Sequence, residues 1–151
     1  SAWRIVCAGG YFAAGFNGTI GHSDVWNRID APKRYTFTVQ DAGAAAQLSA
    51  LHQFFTALPF WRLHPCEGLA LGAESLVLAD PGGVYVFYLP RGGRVTVDLR
   101  DVNGPLTTQW FNPREGNTGD PFVTTAGKTE AFQAPDAQDW VLCLRNARGR
   151  R

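Results

Sequence analysis

The sequence predicts a mainly β fold: an antiparallel β-sandwich of about seven or eight strands, preceded by one or two helices. Three observations carry this expectation. From about residue 72 onward, short runs of β-branched and aromatic residues are separated by Gly, Pro, Asn and Asp breaks, at roughly 8–12-residue spacing. Inside the run 94–99, Val95, Val97 and Leu99 alternate with Arg94, Thr96 and Asp98, the period of a strand with one face inward. Before residue 60 the one clear periodicity is helical.

The elements follow in chain order. Residues 3–14 predict a helix, weakened at Gly9-Gly10 by about 1 kcal/mol per glycine. Residues 18–25 predict a short buried strand leading into a loop at His22-Ser23-Asp24. The clearest helix is 41–58: Asp41 is a good N-cap, and Ala44, Leu48, Leu51, Phe55 and Leu58 recur at helical spacing on one face. Pro59 stops it, and 60–65 continues as an apolar linker. Strands are expected at 75–79, 84–89, 94–99, 106–111, 122–125, 130–133 and 140–145. Between them lie the turns Asp80-Pro81-Gly82-Gly83, Pro90-Arg91-Gly92-Gly93, Asn103-Gly104-Pro105, the loop 112–119 and Pro135-Asp136.

Bulk composition narrows the function classes. The 151 residues are 45% hydrophobic and 18% charged, a globular balance opposite to that of disordered chains. A formal net charge of +1 supplies no field for nucleic acid or an anionic membrane, so neither is an expected partner. The basic tail Arg145, Arg148, Arg150 and Arg151 reads as a solvated chain end. No apolar run approaches the roughly 20 residues that span a bilayer, and Ser1-Ala2-Trp3 does not read as a signal peptide. Cys7, Cys66 and Cys143 fit no zinc or redox spacing; Cys143 reads as a core residue, and a Cys7–Cys66 disulfide stays open as an alternative.

The segments "HQFFTALPFWRLHP", "GVYVFYLPRGGRVTVDL", "QWFNPREG" and "FQAPDAQDWVLCL", in this order, carry a family resemblance. Residues 41–146 resemble the C-terminal domain that follows a (β/α)₈ barrel in a group of glycoside hydrolases, a domain labelled as collagen-binding in a collagenase. The opening "AWRIVCAGGYFAAGF" and "HSDVW" resemble the last helix and strand of that barrel. The resemblance implies a division into 1–40, the end of a catalytic barrel; 41–66, a helix and linker packed between domains; 67–147, the accessory sandwich; and 148–151, the basic tail. It implies a secreted or periplasmic protein and, as partners, the barrel of the same polypeptide and a polysaccharide or glycan. A barrel takes about 250 residues and carries its carboxylates at the strand ends. The family's acid and nucleophile therefore have no matching positions here. No catalytic residue, cofactor or metal is expected, and the chain alone is expected to be inactive.

Site candidates follow from these expectations. If 18–25 is the last barrel strand, His22, Asp24 and Trp26 lie at its active-site end as substrate-lining groups, with Trp26 placed to stack on a sugar ring. Glu67, Glu74 and Glu115 sit in or beside turns and read as solvated acids. His52, His64 and Cys66 give too few ligands for zinc. Tyr88, Trp110 and Arg114 are candidates for carbohydrate contact on the sandwich, with Arg114 also suited to bracing the loop 112–119. Two function readings result. One is a non-catalytic accessory sandwich that stabilises its barrel and contacts carbohydrate. The other is a stand-alone carbohydrate- or collagen-binding module. The first predicts an apolar scar along 3–16 and 54–61; the second predicts an exposed aromatic groove at Tyr88 or Trp110.

Overall fold

The computed structural model describes residues 1–11 and 39–146. Among the described residues, two helices, α1 (Ala2–Cys7) and α2 (Val39–Thr56), and a 3₁₀ turn (Phe60–Arg62) precede ten strands. These are β1 (His64–Pro65), β2 (Ala70–Gly72), β3 (Leu76–Asp80), β4 (Val84–Leu89), β5 (Arg94–Asp98), β6 (Pro105–Asn112), β7 (Asn117–Thr118), β8 (Phe122–Thr125), β9 (Thr129–Gln133) and β10 (Trp140–Asn146).

All seven strands expected from the sequence are present, within a residue or two at each end. The three further strands, β1, β2 and β7, are too short for any periodicity to show. α1 ends well before residue 14, where the Gly9 and Gly10 amides turn back to the Val6 and Ile5 carbonyls. α2 starts two residues before the expected N-cap Asp41, and Pro59 follows its end.

The strands form two antiparallel sheets. In the larger, β1, β3, β4, β10 and β6 lie side by side, and β7 and β8 share the far edge of β6. In the smaller, β5 lies between β2 and β9. β10, last in sequence, is central in space: Cys143 faces Val86 of β4 on one side and Gln109 of β6 on the other.

Alternation assigns the two faces of the large sheet to two separate cores. Tyr85, Phe87 and Leu89 of β4, with Leu142 and Leu144 of β10 and Leu106 of β6, point at the small sheet and meet its Val95, Val97 and Phe132. Val84, Val86 and Tyr88 of β4, with Val141 and Cys143 of β10 and Phe111 of β6, point the other way. There α1 and α2 cover them with Trp3, Cys7, Leu51, Phe54, Phe55 and Leu58. The order is therefore three layers: helices, large sheet, small sheet. All six residues of β4 are buried because both of its faces are covered, which is why V-Y-V-F-Y-L shows no alternation of polarity.

The helix layer is aromatic. Trp3 sits among Phe54, Phe55, Tyr88 and Phe111, with ring centroids 5.5, 5.8, 6.0 and 5.6 Å away. The indole Nε1–H of Trp3 is buried without a hydrogen-bond partner among the described residues.

Candidate functional site

Two places on the described surface gather chemistry. The first is an ionic and aromatic knot at the end of the sandwich where β4, β6 and β10 meet. The hairpin from β6 to β7 is set by Asn112, whose Oδ1 accepts the Arg114 backbone N–H at 3.0 Å and whose carbonyl accepts from Gly116 at 2.8 Å. This aims the Arg114 guanidinium at the loop before β10. It donates to the Asp139 carbonyl and to Asp139 Oδ1 at 3.0 Å, and reaches Asp136 Oδ2 at 3.4 Å. It also lies over the Trp140 ring, 5.2 Å from the centroid. Trp140 Nε1 donates to Asp136 Oδ1 at 2.8 Å, and Trp110 packs edge-on against Trp140 at 6.3 Å.

The electrostatics follow from this wiring. The Trp140 indole bond, then the Gln138 amide and the Arg114 charge, hold the Asp136 carboxyl below its ordinary range. On the opposite sheet face, Tyr88 donates to Asp139 Oδ2 at 3.2 Å, and its hydroxyl lies 3.3 Å from Ser1 Oγ. Burial, reinforced by the Asp139 charge, raises the Tyr88 phenol. The knot also demands a glycine. At Gly92 (φ 57°) a Cβ would collide with the backbone carbonyl of Asp136, so the β4–β5 turn and the Asp136 loop touch backbone to backbone.

This geometry re-reads the carbohydrate-contact candidates. Tyr88 is only 2% exposed, with its ring inside the aromatic cluster, so it presents no face to a sugar. Trp110 and Trp140 are half-buried and close the end of the inter-sheet core. The Arg114 donors are turned inward on Asp136 and Asp139. The outward side of the small sheet, Leu71, Thr96 and Ala131 flanked by Arg94 and Gln133, carries no aromatic ring.

The second place is a groove in the helix layer, of about 450 Å³, lined by Val6, Leu51, Phe55, Phe60 and Leu63 with His52 and Thr56 at one side. Tyr11 lines it at 97% exposure, and the 70% exposed Trp61 stands edge-on to Phe60 at 5.5 Å. The apolar helix residues of the sequence thus split. Phe54 and Phe55 are buried against the large sheet, and Phe60 and Trp61 face outward. The Phe60–Trp61 turn is held by Arg62, whose Nε and Nη2 pair with Asp80 at the end of β3 at 3.1 and 3.3 Å.

His22, Asp24 and Trp26 lie outside the described residues. Glu74 is half-exposed and pairs with Arg4 at 3.1 Å and Arg91 at 3.8 Å; Glu115 accepts from Asn117 at 2.8 Å. Among the described residues no group of His, Cys, Asp and Glu could hold a metal ion, and no helix is long and apolar enough to cross a membrane. Cys7 and Cys66 line one cavity of about 320 Å³ as free thiols, Cys7 packed into the helix layer and Cys66 against the inter-sheet core. Burial pushes the Cys7 thiol up to about 12.

Comparison with known proteins places this architecture. No curated protein matches the sequence. Among solved structures, a glycoside hydrolase family 5 protein from Bacteroides vulgatus ATCC 8482 aligns with a TM-score of 0.59 at 17% identity, over 67% of this chain and 24% of that one. A second structure, titled a glycoside hydrolase, aligns with a TM-score of 0.61 at 16% identity, over 80% of this chain and 30% of the other. The chain thus spans less than a third of the length of either structure. The family model described as "Putative collagen-binding domain of a collagenase" matches residues 73–145. That match runs from just before β3 through β10 and includes both halves of the Arg114 knot. Residues 73–145 are therefore similar to that domain family, on a fold shared with glycoside hydrolase structures.

Proposed function

We propose that this chain is the non-catalytic C-terminal accessory part of a secreted or periplasmic glycoside hydrolase, and that it stabilises the catalytic barrel of the same polypeptide by docking against it. The observation that carries this reading is the apolar groove in the helix layer, with Tyr11, Phe60 and Trp61 exposed beside it. Exposed rings around an apolar groove are the mark of a surface that something else covers. On this reading residues 1–40 end the barrel and 41–66 lie between the domains, with α1 and the inner side of α2 packed on the sandwich. Turnover resides in the barrel, and the described residues act by packing.

The test is Trp61→Asp, made both in the full-length enzyme and in this chain alone. The full-length enzyme is expected to melt at lower temperature and lose activity with it. The chain alone is expected to stay within about 0.5 kcal/mol of its parent, as surface substitutions do. Equal losses in both settings would refute the docking role.

The alternative, a stand-alone carbohydrate- or collagen-binding module, draws support from the wording of the matching family's description. It requires an exposed recognition surface, and Tyr88, Trp110 and Arg114 are turned into the knot. Retention of this chain on insoluble polysaccharide or on collagen, abolished by Trp61→Asp, would favour the module and reassign the groove to the ligand.

A further inference from the structure

The loop between β5 and β6 carries an asparagine at its exposed tip. Leu99 and Val102 anchor this loop in the interior, with the Val102 amide bonded to the Leu99 carbonyl at 3.1 Å. Asn103 and Gly104 form its exposed tip. Gly104 holds φ 85°, and a Cβ built there would meet nothing within 4 Å. The Asn103 carboxamide has no hydrogen-bond partner among the described residues. We propose that Asn103-Gly104 is a site of spontaneous covalent modification, at which Asn103 converts through a cyclic imide to aspartate and isoaspartate.

The other described asparagines show why this one is singled out. Asn112 is buried, its Oδ1 is occupied by the Arg114 amide, and Pro113 after it has no N–H to act as nucleophile. Asn117 donates to Glu115 and is followed by the β-branched Thr118, which crowds the attacking nitrogen. Asn146 donates its carboxamide to the Gly82 and Asn103 carbonyls. At Asn103 the side chain is unbonded, and the next residue has no side chain to shield its nitrogen.

The step needs only water and base. Hydroxide takes the Gly104 N–H proton, and the nitrogen pair attacks Asn103 Cγ. The Cγ–Nδ2 bond breaks, and ammonia leaves with a proton from water. Water then adds to one of the two imide carbonyls. Opening on one side restores the original main chain with an aspartate; opening on the other routes the main chain through the side-chain carbon as isoaspartate. In sum an amide and water become a carboxylic acid and ammonia. The Asn103 carbonyl also accepts from Asn146 at 3.3 Å at the end of β10, so an isoaspartyl link disturbs that tie.

The experiment is incubation of the folded chain at mildly alkaline pH and physiological temperature, with peptide mapping by mass spectrometry and an isoaspartate-specific assay. The acid forms are expected to accumulate at position 103, to be lost in Asn103→Gln, and to form about tenfold more slowly in Gly104→Ala, where a methyl group crowds the nitrogen. The sequence holds a second Asn-Gly pair at Asn17-Gly18, so the map must resolve the two. Conversion at Asn17 alone would overturn the proposal. So would a position 103 that stays intact in the folded chain while converting in the urea-unfolded chain, since the native turn would then hold the reacting atoms apart.

Discussion

The two faces of the large sheet solve the same problem in different ways. Toward the small sheet the core is mostly aliphatic, with Tyr85, Phe87 and Phe132 among its buried side chains. Val95, Val97, Leu99, Leu106, Leu142 and Leu144 are fully buried, and the buried hydroxyls of Thr108 and Thr124 satisfy each other at 2.6 Å. Toward the helices the core is aromatic, holds an unpartnered indole N–H, and borders a groove that leaves rings in solvent. Both faces bury apolar side chains on the same strands. One interior is complete within the domain, whereas the other ends in surface of the kind that further packing would cover.

Substitutions can break or sharpen this contrast. The largest effect is expected for Phe87→Ala, which opens a cavity in the closed core. Denaturant unfolding should show a loss of about 3–5 kcal/mol. A loss under about 1 kcal/mol would mean that this core relaxes freely.

Trp3→Ala should cost about 3 kcal/mol by removing the centre of the helix-side cluster. Trp3→Phe should cost less than about 1 kcal/mol, because it also removes the unpartnered donor and so offsets part of the lost volume. If Trp3→Phe instead costs well over about 1 kcal/mol, losing the donor offsets nothing, and the indole N–H carries no penalty.

Gly92→Ala should lose at least about 2 kcal/mol, from a strained φ and a clash with the Asp136 carbonyl. If instead it is neutral, the β4–β5 turn is free to move away from the Arg114 knot.

The smallest effect is set by pH. Arg100 bonds lower the Asp98 carboxyl from its ordinary 3.8 to about 2, and Asp136 is lowered by its Trp140 bond. Both groups are charged and paired above the unfolded-state value, so their contribution is present there and is lost as pH falls through the folded-state value. The melting temperature should therefore fall between about pH 4 and pH 2. The fall is modest because both carboxylates meet solvent, and Asp136→Asn should flatten part of it. An unchanged profile in Asp136→Asn would show that the indole bond adds nothing to the knot.

The fold was legible in the sequence to the extent that its signals are local. Turn residues marked every long strand, and the spacing of Leu48, Leu51, Phe55 and Leu58 marked α2. β1, β2 and β7 were not legible, because pairings of two or three residues leave no pattern. The stacking of the helices on the outer side of the large sheet was only faintly written. Unbroken apolarity in β4 is compatible with burial on both faces, yet Tyr85 and Tyr88 could equally have opened to solvent.

The site was less legible than the fold. The motifs "WFNPREG" and "APDAQDW" stood out one by one, but nothing in their spacing tells that Arg114 reaches across to Asp136 and Asp139. Tyr88 looked like a recognition residue because aromatic type alone does not say which face a strand residue takes. Its neighbours Phe87 and Leu89 face the small sheet, so alternation sends it to the helices.

The central place of β10 has a consequence for how this chain is made. Strands β4 and β6 join in one sheet only through residues 140–146. During synthesis from the N-terminus, β4 and β6 each wait with one bare edge until β10 arrives, and a bare apolar edge is a template for pairing with other chains. A message truncated before the Trp140 codon would yield two half-sheets that cannot unite, and such a product is fit for proteolysis or aggregation rather than for a partly working domain.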